Sequence, residues 1–174
     1  KFNIKTYKEI DDAPKNSFDV VIIISVLEHV TDPINFLKNL KVLLKKRGRI
    51  IIECPSINDP LVQLYGNQSY KNFYYRPVHI NYFNKTHLKK IVKFSNLKLI
   101  KTFSVLVYSI TNHLGWHFNN KGSSDSEGAT NIKFKHLKKQ NLLQKIFSKI
   151  NDVYFHELSK QDYADMEIVI CEKK

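Results

Sequence analysis

One stretch of this chain constrains its fold more than any other. It runs Phe18-Asp19-Val20-Val21-Ile22-Ile23-Ile24, then Asp32-Pro33, then an apolar stripe, then Arg49-Ile50-Ile51-Ile52-Glu53-Cys54. A β-branched run that is apolar at nearly every position predicts a strand covered on both faces, in the middle of a parallel sheet. Asp32-Pro33 reads as an N-cap and first helical position. Behind it Phe36, Leu37, Leu40, Leu43 and Leu44 recur at three- and four-residue steps, which is one face of a helix. Lys45, Lys46 and Arg47 would complement the negative end of that helix, and Gly48 is expected to stop it. Arg49–Cys54 is then a second buried strand, closed by Pro55. Strand, helix and strand follow within roughly 35 residues, the size of a βαβ crossover unit. The expected class is α/β, with a mostly parallel sheet and helices on both faces.

Length and composition narrow the rest. At 174 residues and 20.5 kDa the chain is expected to form a single domain or a large piece of one. Its longest apolar runs fall far short of the ~20 residues that cross a bilayer. The formal net charge is +12, but the lysines are scattered through every segment, so a nucleic-acid partner is not favoured. A rival basic face would use Lys133, Lys135, Lys138, Lys139, Lys145 and Lys149, with Phe134 and Phe147 nearby. Cys54 and Cys171 each sit inside an apolar strand-like run with no metal-ligand spacing, which fits a reducing cytoplasm. The chain opens on Lys1, with neither Met nor a charged-then-apolar leader, and the expectation is that residues precede it.

The remaining segments read as follows. Phe2–Tyr7 is a short extended candidate. Ser56 to Val78, rich in tyrosine, is expected to be a long irregular loop with one helical turn. Asn84 caps a helix carrying Leu88, Ile91, Val92 and Ser95. Leu97–Tyr108 is a strand. Residues 119–131, with Gly122, Ser123, Ser124, Ser126 and Gly128, form a flexible loop. Residues 132–160 are a helical insertion with Leu143, Ile146, Phe147, Ile150 and Tyr154 on one face, and Met166–Cys171 is the last strand.

In an open α/β sheet, ligands bind beyond the carboxyl ends of the strands. The first buried strand leads into Ser25-Val26-Leu27-Glu28-His29-Val30, which puts a carboxyl and an imidazole where a site is expected.

At this point the run FDVVIIISVLEHVTDPINFLKNLKVLLKKRGRIIIECP resembles the middle of a class I S-adenosylmethionine-dependent methyltransferase of the small-molecule branch. His79-Ile80-Asn81-Tyr82-Phe83-Asn84 before a Leu-rich helix is similar to a later segment of that family, and Asp165-Met166-Glu167-Ile168-Val169-Ile170 resembles its final strand. The likeness covers roughly residues 1–108 and 160–174. It implies a partial Rossmann-like methyltransferase fold with an antiparallel C-terminal strand. It also implies S-adenosylmethionine as cofactor, with Ser25, Val26 and His29 on the cofactor side. Glu28 and His79 would be catalytic, His79 as the base, and Tyr75 and Tyr82 would border the acceptor. Ser25 stands where metal-holding relatives carry a carboxylate, so no metal is expected.

The glycine-rich turn and the ribose-binding acid of that family are not found here. The five glycines, Gly48, Gly66, Gly115, Gly122 and Gly128, make no G-x-G pattern. Glu9 and Asp11 sit near where an adenine-contacting acid can occur. The resemblance therefore implies a fragment of a methyltransferase for a small metabolite, sugar or lipid precursor, inactive alone. The alternatives are a degenerate, non-catalytic binding module or a basic nucleic-acid or anionic-surface binder. Methyl transfer mainly requires alignment of donor and acceptor, and a histidine base suits an acceptor that must lose a proton.

Overall fold

In the computed structural model, residues 4–121 and 140–174 are described, and everything below concerns them. Strand β1, Phe18–Ile24, runs parallel to β2, Leu44–Pro55, with Val21 opposite Ile50 and Ile24 opposite Glu53. Strand β2 is antiparallel to the last strand, β4, Met166–Lys173, which is antiparallel to β3, Leu97–Val105. The order is β1-β2-β4-β3. The α/β class and the antiparallel C-terminal strand are as the sequence implies, in a mixed sheet whose parallel pairing is β1 with β2.

Helix α1, Pro33–Leu43, starts where Asp32 accepts a hydrogen bond from the Asn35 N–H at 2.9 Å. It buries Leu37, Leu40 and Leu43 against Ile50, Ile52 and Cys54 of β2 and Val169 and Cys171 of β4. Asn84 caps α4, Lys85–Phe94, whose Leu88 and Val92 join the same core. The two-residue period of β2 and the helical stripes of α1 and α4 thus meet on one face of the sheet.

Several expectations are corrected. Strand β1 is not covered on both faces; it is an edge strand, with Val20, Ile22 and Ile24 45%, 59% and 57% exposed. Helix α1 ends at Leu43 rather than at Gly48, because Leu44 is extended and already belongs to β2. Gly48 sits inside that strand for space: a Cβ there would lie 3.0 Å from the carbonyl oxygens of Lys45 and Phe18. The tyrosine-rich stretch is more ordered than an irregular loop. Asp59 caps α2, Pro60–Gln63, and Asn67 caps α3, Gln68–Tyr74, each through its own side chain. Strand β3 stops at Val105, short of Tyr108, and Ser109 caps an additional helix, α5, Ile110–Asn119. Helix α6, Gln140–Lys160, falls within the expected helical insertion. Ile4–Tyr7 is not a strand; Phe2, the part of the expected loop beyond residue 121 and residues 132–139 lie outside the described residues. No described helix is long and apolar enough to cross a membrane.

Candidate functional site

The site begins where β1 ends. Ser25 takes a left-handed conformation, φ 51°, and its N–H bonds to the Glu53 carbonyl at 3.0 Å. The chain then makes a short 3-10 turn, Leu27–His29. That turn drives Leu27 into the core and buries Glu28 to 1% exposure, leaving Ser25, Val26 and His29 exposed. Both carboxyl oxygens of Glu28 are buried and without a hydrogen-bond partner.

Three hydrogen bonds bring the segment around His79 onto this turn. His29 donates from Nδ1 to the Val78 carbonyl at 2.7 Å. The Asn81 N–H reaches the Glu28 carbonyl at 3.1 Å, and the Asn81 amide donates to the Val30 carbonyl at 2.7 Å. Because a carbonyl only accepts, the His29 proton is on Nδ1, and Nε2 faces Glu28 Oε1 at 3.9 Å. His79 packs edge-on against His29, and its own Nδ1 is buried and unpartnered. Burial holds the His79 imidazole below the usual histidine range, against the opposing pull of Glu28. Glu28, His29 and His79 thus stand together, with donor atoms within 4.8 Å of one another, a set able to take one divalent cation.

These three side chains line a cavity of about 350 Å³, with Ser25 at its edge. Tyr74 and Phe73 supply aromatic wall. Tyr75 and Tyr82 do not line this cavity. They stand behind Tyr74, with ring centroids 5.4 and 5.2 Å from it, because successive residues at the end of α3 point in different directions. Tyr82 also donates to the Tyr74 carbonyl at 2.9 Å, and Tyr74 donates to the Ser56 carbonyl, so the aromatic wall is tied to the end of β2. Val26 does not line the cavity either; it is exposed beside it.

The cavity has a second polar wall that sequence reasoning missed. Asp59, 1% exposed, accepts the N–H groups of Leu61 and Val62 on Oδ1 and the Tyr70 hydroxyl on Oδ2 at 2.8 Å. Burial, then the neighbouring Asp165, pushes its carboxyl up to about 7. Asp165, 2% exposed, accepts the N–H groups of Val107 and Tyr108 on Oδ2, while Oδ1 has no hydrogen bond. The Asp-Pro signature that marks Asp32 as a cap is repeated at Asp59-Pro60, so Asp59 could have been found as a cap. Asp165 carried no such signal. Glu9 is exposed, and Asp11 lies in a short 3-10 turn, Ile10–Asp12; neither lines the cavity.

Of the expected basic face, Lys133, Phe134, Lys135, Lys138 and Lys139 lie outside the described residues. Lys145 and Lys149 are exposed on α6 between exposed Leu142, Ile146 and Ile150, and Phe147 is half-buried.

Residues 2–102, more than half of the chain, match the family described as "Methyltransferase domain". No curated protein matches. Among solved structures, the chain is similar to an S-adenosylmethionine-dependent methyltransferase from Archaeoglobus fulgidus. That likeness has 17% identity and a TM-score of 0.52, over 94% of this chain and 63% of that one. It is also similar to phosphoethanolamine N-methyltransferase 2 from Haemonchus contortus, solved with S-adenosyl-L-methionine. There the identity is 16% and the TM-score 0.50, over 92% of this chain and 34% of that one. The chain spans less than two thirds of the length of either.

Proposed function

This chain belongs to the methyltransferase-domain family, and we propose that it is the acceptor-binding part of a longer S-adenosylmethionine-dependent methyltransferase acting on a small metabolite, sugar or lipid precursor. The observation that carries the reading is the Glu28–His79 pair. A buried, unpartnered carboxyl and an unpartnered imidazole nitrogen face one cavity at the carboxyl end of the parallel strand pair.

The residues present fit one side of the cofactor. Ser25, Val26 and His29 are exposed where β1 turns outward, and they would lie along it. The cofactor supplies an electrophilic methyl group. Glu28 and His79 orient the acceptor and take the proton it loses, and His29, held by the Val78 carbonyl, keeps His79 in place. Tyr75 and Tyr82 stand behind the wall and brace Tyr74, which faces the acceptor. No metal enters this reading, and it places the enzyme in the cytoplasm.

Fragment status is supported by the open edge of β1. An edge strand with three exposed aliphatic side chains on one face is poorly suited to water, and a preceding strand with its helices would cover it. Calorimetry tests the reading. This chain alone is expected to show no micromolar affinity for S-adenosylmethionine, whereas a polypeptide extended at its N-terminus is expected to bind it and transfer labelled methyl. Glu28→Gln and His79→Gln are each expected to slow that transfer by about 10²–10⁴-fold. Tight cofactor binding by this chain alone would overturn the fragment reading, and unchanged transfer in both variants would overturn the assignment of the pair.

A further inference from the structure

Within a chain of net charge +12, this cavity collects three carboxyl groups, Glu28, Asp59 and Asp165, none more than 2% exposed. Such a gathering is costly unless something of opposite charge meets it. Among the described residues, Arg76 is the only arginine or lysine lining the cavity, and it does not fill that role. Its guanidinium lies over the Phe73 ring at 4.4 Å, its Nε donates to the Phe73 carbonyl, and it makes no ion pair among the described residues.

Asp165 is the sharpest case. Its Oδ2 accepts two backbone N–H groups, which fixes the carboxyl in one orientation, and its Oδ1 is left buried without a hydrogen bond. Among the described residues, His113 Nε2 makes an ion-pair contact with Oδ1 at 3.7 Å, too far for a hydrogen bond. His113 is itself fully buried and anchored through Nδ1 to the Tyr154 hydroxyl at 2.6 Å, which is 3.0 Å from the Tyr65 hydroxyl. His113 Nε2 is likewise buried without a hydrogen-bond partner, so the contact between the two groups is left open. Asp59 stands on the same wall, and the aromatic rings of Tyr70, Tyr74 and Tyr108 line the cavity beside it.

We propose that this wall binds a protonated amine, with Asp165, supported by Asp59, receiving the ammonium group of a small molecule whose body lies against Tyr70, Tyr74 and Tyr108. An ammonium offers three donors and no acceptor, which matches an unfilled carboxyl oxygen, and the tyrosine rings favour a cation at their faces. A neutral ligand leaves Asp165 Oδ1 unpartnered, and an anionic one meets two carboxyls at close range. The position of the Asp59 carboxyl at about 7, raised by burial and by Asp165, agrees with a wall in need of positive charge. The proposal rests on reading the cavity as the acceptor pocket, and it names the acceptor as an amine-bearing metabolite, with the Glu28–His79 pair free for the reacting atom.

The test is a binding titration of this chain with tyramine, its neutral analogue N-acetyltyramine and the anion 4-hydroxyphenylacetate. Backbone amide resonances are followed at about pH 8, with EDTA present to remove stray metal ions; the amine is still protonated and Asp59 ionised there. Tyramine is expected to bind at least about tenfold more tightly than either analogue. Asp165→Asn and, separately, Asp59→Asn are expected to remove about tenfold of that affinity without changing binding of N-acetyltyramine. Asp59→Asn keeps an oxygen to cap α2, so it serves if Asp165→Asn fails to fold. Equal affinity for tyramine and N-acetyltyramine, no binding of either, or a preference that survives both substitutions would overturn the proposal. Because no methyl donor is involved, these outcomes are separate from the family reaction. Labelled-methyl transfer to a non-amine acceptor by the extended polypeptide would sink the amine site and leave the methyltransferase reading standing.

Discussion

The imidazoles of His29 and His79 meet edge to face, with ring centroids 4.8 Å apart and planes at 71°. Fifty residues separate them in sequence, and the contact exists because Val78 and Asn81 are hydrogen-bonded to the turn that carries Glu28. One imidazole is thus fixed by a carbonyl while the other keeps a free, buried nitrogen.

That arrangement sets a pH dependence. Burial lowers the His79 pKa below 6.5, with Glu28 opposing the shift. Between the folded and unfolded values the unfolded chain binds the extra proton, so this group's contribution to stability is present above the unfolded value and is lost as pH falls through the folded one. The neutral ring, able to accept a proton, therefore prevails at and above neutral pH. Methyl transfer by the extended polypeptide is expected to be flat above about pH 7 and to fall on the acid side. His79→Gln is expected to abolish that acid limb as well as lower the rate. A wild-type profile that rises steadily from neutral to alkaline pH would contradict the assignment.

Asp59 imposes the opposite slope. Its carboxyl is raised from 3.8 to about 7, so between those values the folded state holds a proton that the unfolded state has released. Stability is therefore expected to decline as pH rises from about 4 to about 7, by up to about 1.4 kcal/mol per pH unit, and then to level off. Urea denaturation of wild type and Asp59→Asn across that range checks it. The difference between the two proteins should shrink toward acid pH, and parallel curves would rule out a raised Asp59.

The βαβ run was legible because each of its signals is local. An Asp-Pro cap, a stripe at three- and four-residue steps, and a strand of β-branched residues each report on their own neighbourhood. The environment of β1 was not local. An apolar run states that Val20, Ile22 and Ile24 require cover, but not whether this stretch of chain supplies it. Glu28 and His29 were legible from position, at the end of a strand. Asp165 was not, since its importance comes from Val107 and Tyr108, whose N–H groups it receives across the β3–β4 pairing. That Tyr74, and not the adjacent Tyr75, lines the cavity was not legible either, because composition does not say which of two neighbouring aromatic side chains faces inward.

The cluster of Glu28, His29 and His79 gives a direct test of whether a metal takes part. The proposed chemistry needs none, so transfer by the extended polypeptide is expected to be unchanged after dialysis against EDTA. If activity disappears and is restored by Zn²⁺ or Mn²⁺, the three donors hold a working cation and the proton-transfer role of His79 is wrong.

Gly48 shows how closely β1 and β2 approach. A methyl group there would lie 3.0 Å from the carbonyl oxygens of both Lys45 and Phe18, and those are backbone atoms that cannot rotate away. The pairing of β1 with β2 already shifts register between Phe18 and Val20, so the strain of an added Cβ would fall on a ladder that is irregular there. Gly48→Ala is expected to destabilise the chain by about 1–3 kcal/mol, despite the better intrinsic propensity of alanine. Because the turn carrying Glu28 and His29 follows directly from β1, the same substitution is expected to move the backbone amide resonances of Ser25 to Val30. A denaturation midpoint equal to wild type, with those resonances unmoved, would show that β1 is not held against β2 at this point and that the site does not depend on the contact.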